Sequence, residues 1–93
     1  MLAIARALVC QPRLLLLDEP TEGLAPKIVE ELVHLLQRLR KSGLTAIVVE
    51  QRLETVFDTC GDVILMSRGM PALRGASIEL RHRADVLREH LGV

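Results

Sequence analysis

The chain has 93 residues, 49% of them hydrophobic, with 12 basic and 12 acidic side chains and a formal charge of zero. Such a chain is too apolar for disorder and long enough for one small domain burying roughly 60 to 65% of its unfolded surface. The balanced charge gives no general attraction to nucleic acid or anionic lipid, and with Phe57 as the single aromatic the core must come from Leu, Val, Ile and Ala.

In chain order, Leu2 to Val9 are good helix formers and Pro12 ends them, because a proline disfavours helical geometry in the residue before it. The stretch from Met1 to Cys10 has no basic leader and is interrupted by Arg6, so it reads as neither signal peptide nor membrane span. A strand is predicted over Arg13 to Asp18, whose four consecutive leucines suit a parallel strand covered on both faces. Asp18 and Glu19 follow where the run stops, at the carboxyl end of the strand, which is where open α/β sheets bind ligands. Two adjacent carboxylates there could hold Mg²⁺ and orient a water. The segment Leu14 to Pro20 has the form of a Walker B motif, although an apolar strand followed by an acidic turn also serves packing alone.

Pro20 to Pro26 reads as a loop containing Gly23, with Pro26 as the first residue of the next helix. From Lys27 to Lys41 the apolar positions Ile28, Val29, Leu32, Val33, Leu35, Leu36 and Leu39 recur at three and four residue intervals, predicting an amphipathic helix. Glu30 and Glu31 come early, Arg38, Arg40 and Lys41 late, and Gly43 supplies the stop. His34 is expected to serve surface or packing. A second strand, Thr45 to Val49, again ends in polar side chains, Glu50 and Gln51. A short helix over Arg52 to Cys60 turns Leu53, Val56 and Phe57 inward. A third strand, Val63 to Met66, a turn at Arg68 and Gly69, and a short edge strand over Met70 to Arg74 follow. Ser77 to Leu91, with Ile78, Leu80, Val86, Leu87 and Leu91, reads as helix, either continuous or broken near Arg81. Its basic cluster, Arg81, His82 and Arg83 with Arg74 and Arg88, is interleaved with Glu79, Asp85 and Glu89 and reads as a solvated face; His82 and His90 should face solvent.

Cys10 and Cys60 lack metal-site spacing and read as ordinary thiols of a reducing compartment. The alternation of strand and helix with right-handed crossovers predicts an α/β fold: a parallel three-stranded sheet core with flanking helices.

Four segments in order, Ala3 to Leu8 (AIARAL), Leu14 to Pro20, Thr21 to Pro26 (TEGLAP) and Val48 to Gln51 (VVEQ), resemble the C-terminal part of an ABC-transporter ATP-binding subunit, a P-loop NTPase. The chain is similar in particular to the subunits of branched-chain amino acid importers and their urea-importer relatives. The resemblance implies that residues 1–93 are the C-terminal part of a nucleotide-binding domain. Asp18 would be the Mg²⁺ ligand, and Glu19 the group that orients or accepts a proton from the hydrolytic water. Thr21, Glu22, Gly23, Leu24 and Ala25 would form the D-loop at the dimer interface, and Gln51 would stand at the switch position beside the γ-phosphate. Where the generic D-loop has Asp the chain has Ala25, and where the generic switch has His it has Gln51; both departures point to the same subgroup.

No G-x-x-x-x-G-K-[ST] run occurs in the 93 residues, and neither the Q-loop nor the signature loop is present, so Met1 would correspond to an internal methionine. The resemblance implies ATP and Mg²⁺ as cofactors, and as partners a second ATP-binding subunit, permease subunits and a solute-binding protein. It places the protein in the cytoplasm, peripheral to the inner face of the cell membrane. Without the phosphate cradle, the chain alone is expected not to hydrolyse ATP. The competing expectation is a non-catalytic module that docks on an intact ATPase subunit through exposed strand edges.

Overall fold

A computed structural model describes residues 2–83 and Arg88. Met1, Asp85, Val86, Leu87, Glu89, His90 and Leu91, for which the sequence carries expectations, lie outside the described residues. The chain divides into two compact units, Met1–Glu50 and Gln51–Val93.

In the first unit, helix α1 (Leu2–Val9) is followed by strand β1 (Leu14–Asp18), helix α2 (Pro26–Lys41) and strand β2 (Thr45–Val49). The helix α1 stops three residues before Pro12. Gln11, at φ +50°, takes the left-handed conformation that closes helix ends, and its N–H donates to the Leu8 carbonyl. Pro26 occupies the first turn of α2, where its missing N–H is no loss, and extended Ala25 precedes it. Glu30 and Glu31 fall beyond the first turn, so the helix dipole is complemented only at its C-terminal end, by Arg38, Arg40 and Lys41. There the N–H of Gly43, at φ +93°, donates to the Arg40 carbonyl and that of Leu44 to the Leu39 carbonyl. This pairing is the Schellman arrangement, which turns the chain sharply into β2.

Strands β1 and β2 pair in parallel, Leu14 opposite Thr45 through Asp18 opposite Val49. The core of this unit is Ile4, Leu32 and Leu36, with Leu8, Leu17, Leu24, Leu35 and Leu39 packed against it. Leu15 is buried as well, whereas Leu14, Leu16, Ile47 and Val49 are 48, 67, 55 and 55% exposed. The expectation that both faces of β1 are covered is therefore corrected. Side chains alternate across a strand, and only one set of the leucines meets cover.

In the second unit, helix α3 (Leu53–Thr59) leads to strands β3 (Asp62–Ser67) and β4 (Met70–Ala76) and helix α4 (Ser77–Arg81). The turn between the strands has φ +51° at Arg68 and +78° at Gly69, the pair of left-handed residues that matches the twist of a two-residue hairpin. The strands β3 and β4 are antiparallel, with an irregularity between Leu65 and Met66. Leu53, Val56, Phe57, Val63 and Leu80 form the core, while Ile78 is exposed. Ser77 ties α4 down, its hydroxyl donating to the Phe57 carbonyl at 3.2 Å and its N–H to the Gly61 carbonyl at 2.8 Å.

The three-stranded parallel sheet is thus corrected too. Among the described residues the ladders are two pairs, β1 with β2 and β3 with β4. A two-residue turn delivers β4 to β3 directly, and that local pairing occupies an edge of β3. The basic cluster is solvated as expected: Arg81 and Arg88 pair with Asp58 and Glu54 at the surface, and Arg81 lies over the Phe57 ring, 5.7 Å from its centroid. His34 and His82 are exposed. Among the described residues, no helix is long and apolar enough to cross a membrane.

Candidate functional site

The strand tips of the first unit carry the residues singled out from sequence. Asp18 is the last residue of β1, exposed, and in register with Val49 at the end of β2. Glu19 follows, half-buried, and its N–H donates to the Val49 carbonyl at 2.7 Å. That bond carries the pairing of the strands one residue beyond the ladder. Glu19 has φ +47°, a left-handed conformation costing a residue with a Cβ about 1–2 kcal/mol.

The loop that leaves Glu19 is folded on itself. The Glu22 N–H donates to the Glu19 carbonyl at 3.1 Å and the Leu24 N–H to the Thr21 carbonyl at 3.2 Å, with Gly23 at φ +75°. Leu24 packs against the leucine core. Thr21 is 1% exposed, and its hydroxyl donates to a carboxylate oxygen of Glu50 at 2.6 Å, which also receives the Thr21 N–H at 3.4 Å. Glu22, Gly23 and Ala25 remain exposed.

Asp18, Glu19 and Thr21 to Ala25 are thereby gathered at the tips of β1 and β2. Gln51, exposed, begins the second unit. From the sequence Glu50 is marked only as a polar strand end, although it sits one residue past Val49, the register partner of Asp18. Its position at the tip of the neighbouring strand was the signal.

Among the described residues, no three His, Cys, Asp or Glu groups gather in a way that could hold a metal. The oxygens of Asp18 and Glu19 nevertheless fit Mg²⁺ chemistry, since that ion takes one or two carboxylates and completes its octahedron with water and phosphate oxygens. A hollow of about 570 Å³, lined by Leu8, Arg13, Leu39, Gly43 and Thr45 among others, opens at the amino ends of the strands, away from these carboxylates.

No protein-family model matches the chain. It is 37% identical over 92 residues to the high-affinity branched-chain amino acid transport ATP-binding protein LivG of Salmonella typhimurium, covering 98% of this chain and 36% of that protein. To BraG of Pseudomonas aeruginosa, of the same description, it is 35% identical, covering 99% of this chain and 40% of that protein. To the energy-coupling factor transporter ATP-binding protein EcfA2 of Bacillus cereus it is 40% identical, covering 98% and 31%. The chain thus spans about a third of the length of the curated relatives it matches.

Among solved structures, cbiO1 of Clostridium perfringens, part of the ABC transporter complex cbiONQ, superposes with a TM-score of 0.78 at 38% identity, covering 94% of this chain and 35% of that one. An ATP-binding cassette in a dimeric post-hydrolysis state, bound to ADP and Pi, superposes with a TM-score of 0.73 at 30% identity, covering 81% and 32%. With the acidic strand tip, the folded loop after it and these likenesses over nearly its whole length, the chain belongs to the ATP-binding proteins of ABC transporters and carries part of their P-loop NTPase fold.

Proposed function

We propose that the chain is the C-terminal part of the ATP-binding subunit of an ABC importer for branched-chain amino acids, and that it serves ATP hydrolysis only together with a phosphate-binding segment. The observation that carries this reading is the placement of Asp18 and Glu19 at the carboxyl tips of a parallel strand pair, where nucleotides meet α/β sheets. The printed descriptions of LivG and BraG support the solute class.

In this reading the exposed carboxylate of Asp18 holds Mg²⁺ and the half-buried carboxylate of Glu19 orients the attacking water or takes its proton. The ion, when bound, supplies charge neutralisation on the phosphate oxygens. Thr21 to Ala25 act as the D-loop facing a second ATP-binding subunit. The Gln51 side-chain amide donates a hydrogen bond to the γ-phosphate without being able to become a cation. Permease subunits and a solute-binding protein complete the assembly at the inner face of the membrane.

Two features favour dependence on a further segment. The 93 residues contain no phosphate-cradling glycine loop with its lysine, and cradling with charge neutralisation supplies most of phosphoryl-transfer catalysis. The apolar face of Leu14, Leu16, Ile47 and Val49 is also left uncovered, although four leucines in a row suit a strand with cover on both sides. Calorimetric titration of the purified chain with ATP and Mg²⁺ tests this: no binding is expected, and micromolar affinity would contradict it. Joined to the part of LivG that it does not match, the chain should hydrolyse ATP.

A further inference from the structure

The hydroxyl of Thr21 and the carboxylate of Glu50 are 29 residues apart in sequence and 2.6 Å apart in space. Thr21 is two residues beyond Glu19, Glu50 one residue beyond the strand that receives the Glu19 amide, and Thr21 is almost wholly buried. A hydroxyl at 1% exposure that found no acceptor would carry its full desolvation cost, so the bond is expensive to break. Bonds to an ionised acceptor are also the stronger kind. The same carboxylate oxygen receives the Thr21 amide, so side chain and backbone are held at one point. Downstream of that point lie the Leu24 to Thr21 backbone bond and the packing of Leu24 on the core; upstream lies left-handed Glu19. A left-handed residue with a Cβ persists only where its surroundings over-determine it.

From this geometry we propose that Glu50 is a positioning residue: by clamping Thr21 it fixes the segment from Glu19 to Ala25, and through that segment the direction of the Glu19 carboxylate. The catalytic half of the inference rests on the function proposed above; the clamp itself does not. Because Glu50 directly precedes Gln51, the clamp joins the loop after β1 to the start of the segment that carries the switch position.

The test has two arms. In the 93-residue chain, amide hydrogen exchange at Glu19, Glu22 and Leu24 should accelerate roughly tenfold or more in Thr21→Val and in Glu50→Ala, and stay near wild type in Thr21→Ser, which keeps the hydroxyl. Unchanged exchange in both disruptive variants overturns the clamp. If Glu50→Ala does not fold, Glu50→Gln, which keeps one acceptor oxygen, is read in its place: exchange between wild type and Thr21→Val supports the clamp, and exchange equal to wild type together with unaffected Thr21→Val overturns it. In the chain joined to the unmatched part of LivG, Thr21→Val and Glu50→Ala should lower kcat by roughly tenfold to a hundredfold with KM for ATP unchanged, and Thr21→Ser should restore turnover. Full kcat in the disruptive variants overturns the positioning role. A wild-type fusion without turnover sinks the proposed function instead, and the exchange arm then decides the clamp alone.

Discussion

The amide of Glu19 donates to the carbonyl of Val49 at 2.7 Å while Glu19 itself sits at φ +47°. The bond holds the chain against the neighbouring strand while its donor, Glu19, keeps a conformation that its own Cβ opposes. Glycine bears no such opposition. Glu19→Gly is therefore expected to be more stable than Glu19→Ala by about 1 kcal/mol, the reverse of the order at an ordinary position. Urea unfolding of the two variants measures this, and a more stable alanine variant would show that the left-handed turn is not kept.

Gly43 and Gly75 make a second contrast. A Cβ built on Gly43 meets nothing within 4 Å, but its φ of +93° is left-handed. At Gly75, where φ is unremarkable, a Cβ would touch the Leu80 side chain at 3.5 Å, an ordinary contact. Gly43→Ala should cost about 1 kcal/mol from backbone strain alone, and Gly75→Ala should cost less or nothing. Paired thermal melts decide it; equal losses would mean that space, not φ, governs Gly43.

Among the described residues Leu32 is the most completely buried leucine, with 0% exposure, in a unit whose core is leucine and isoleucine. Leu32→Ala removes atoms that no aromatic neighbour can move to replace, and a loss of about 2–5 kcal/mol is expected. On a unit this small, that approaches the whole stability. Circular dichroism on heating should show residues 1–50 unfolding well below the wild-type temperature.

The uncovered face of β1 and β2 behaves oppositely. Leu16→Glu combined with Ile47→Lys should leave the melting temperature of the isolated chain nearly unchanged and reduce its self-association on size exclusion, since both side chains are more than half exposed. The same pair should abolish turnover of the fusion with LivG. A large drop in melting temperature in the isolated chain would mean that this face is already packed.

Much of the fold was legible because short-range chemistry dictated it. Pro26 and Gly43 bracket α2, a run of leucines and a run of β-branched residues give β1 and β2 within a residue of their bounds, and Arg68 with Gly69 makes the hairpin turn. Strand partnership was less legible, because periodicity says that Val63 to Met66 is extended but not which strand lies beside it; the tight turn to β4 gives it an antiparallel neighbour. The exposure of Leu14 and Leu16 was hidden for a similar reason, since a leucine states a preference for cover and not whether cover is present. At the site, Asp18 and Glu19 announced themselves by interrupting an apolar run, while Glu50 became visible only when the parallel register brought its strand tip to Thr21.

Single-turnover hydrolysis by the fusion of this chain with the unmatched part of LivG decides whether the acidic pair at the strand tips serves ATP hydrolysis. Mg²⁺-dependent turnover is expected in the wild type, with a loss of roughly a hundredfold or more in Glu19→Gln, which keeps size and hydrogen bonding but cannot take a proton. Equal rates for the two would show that Glu19 has no part in hydrolysis.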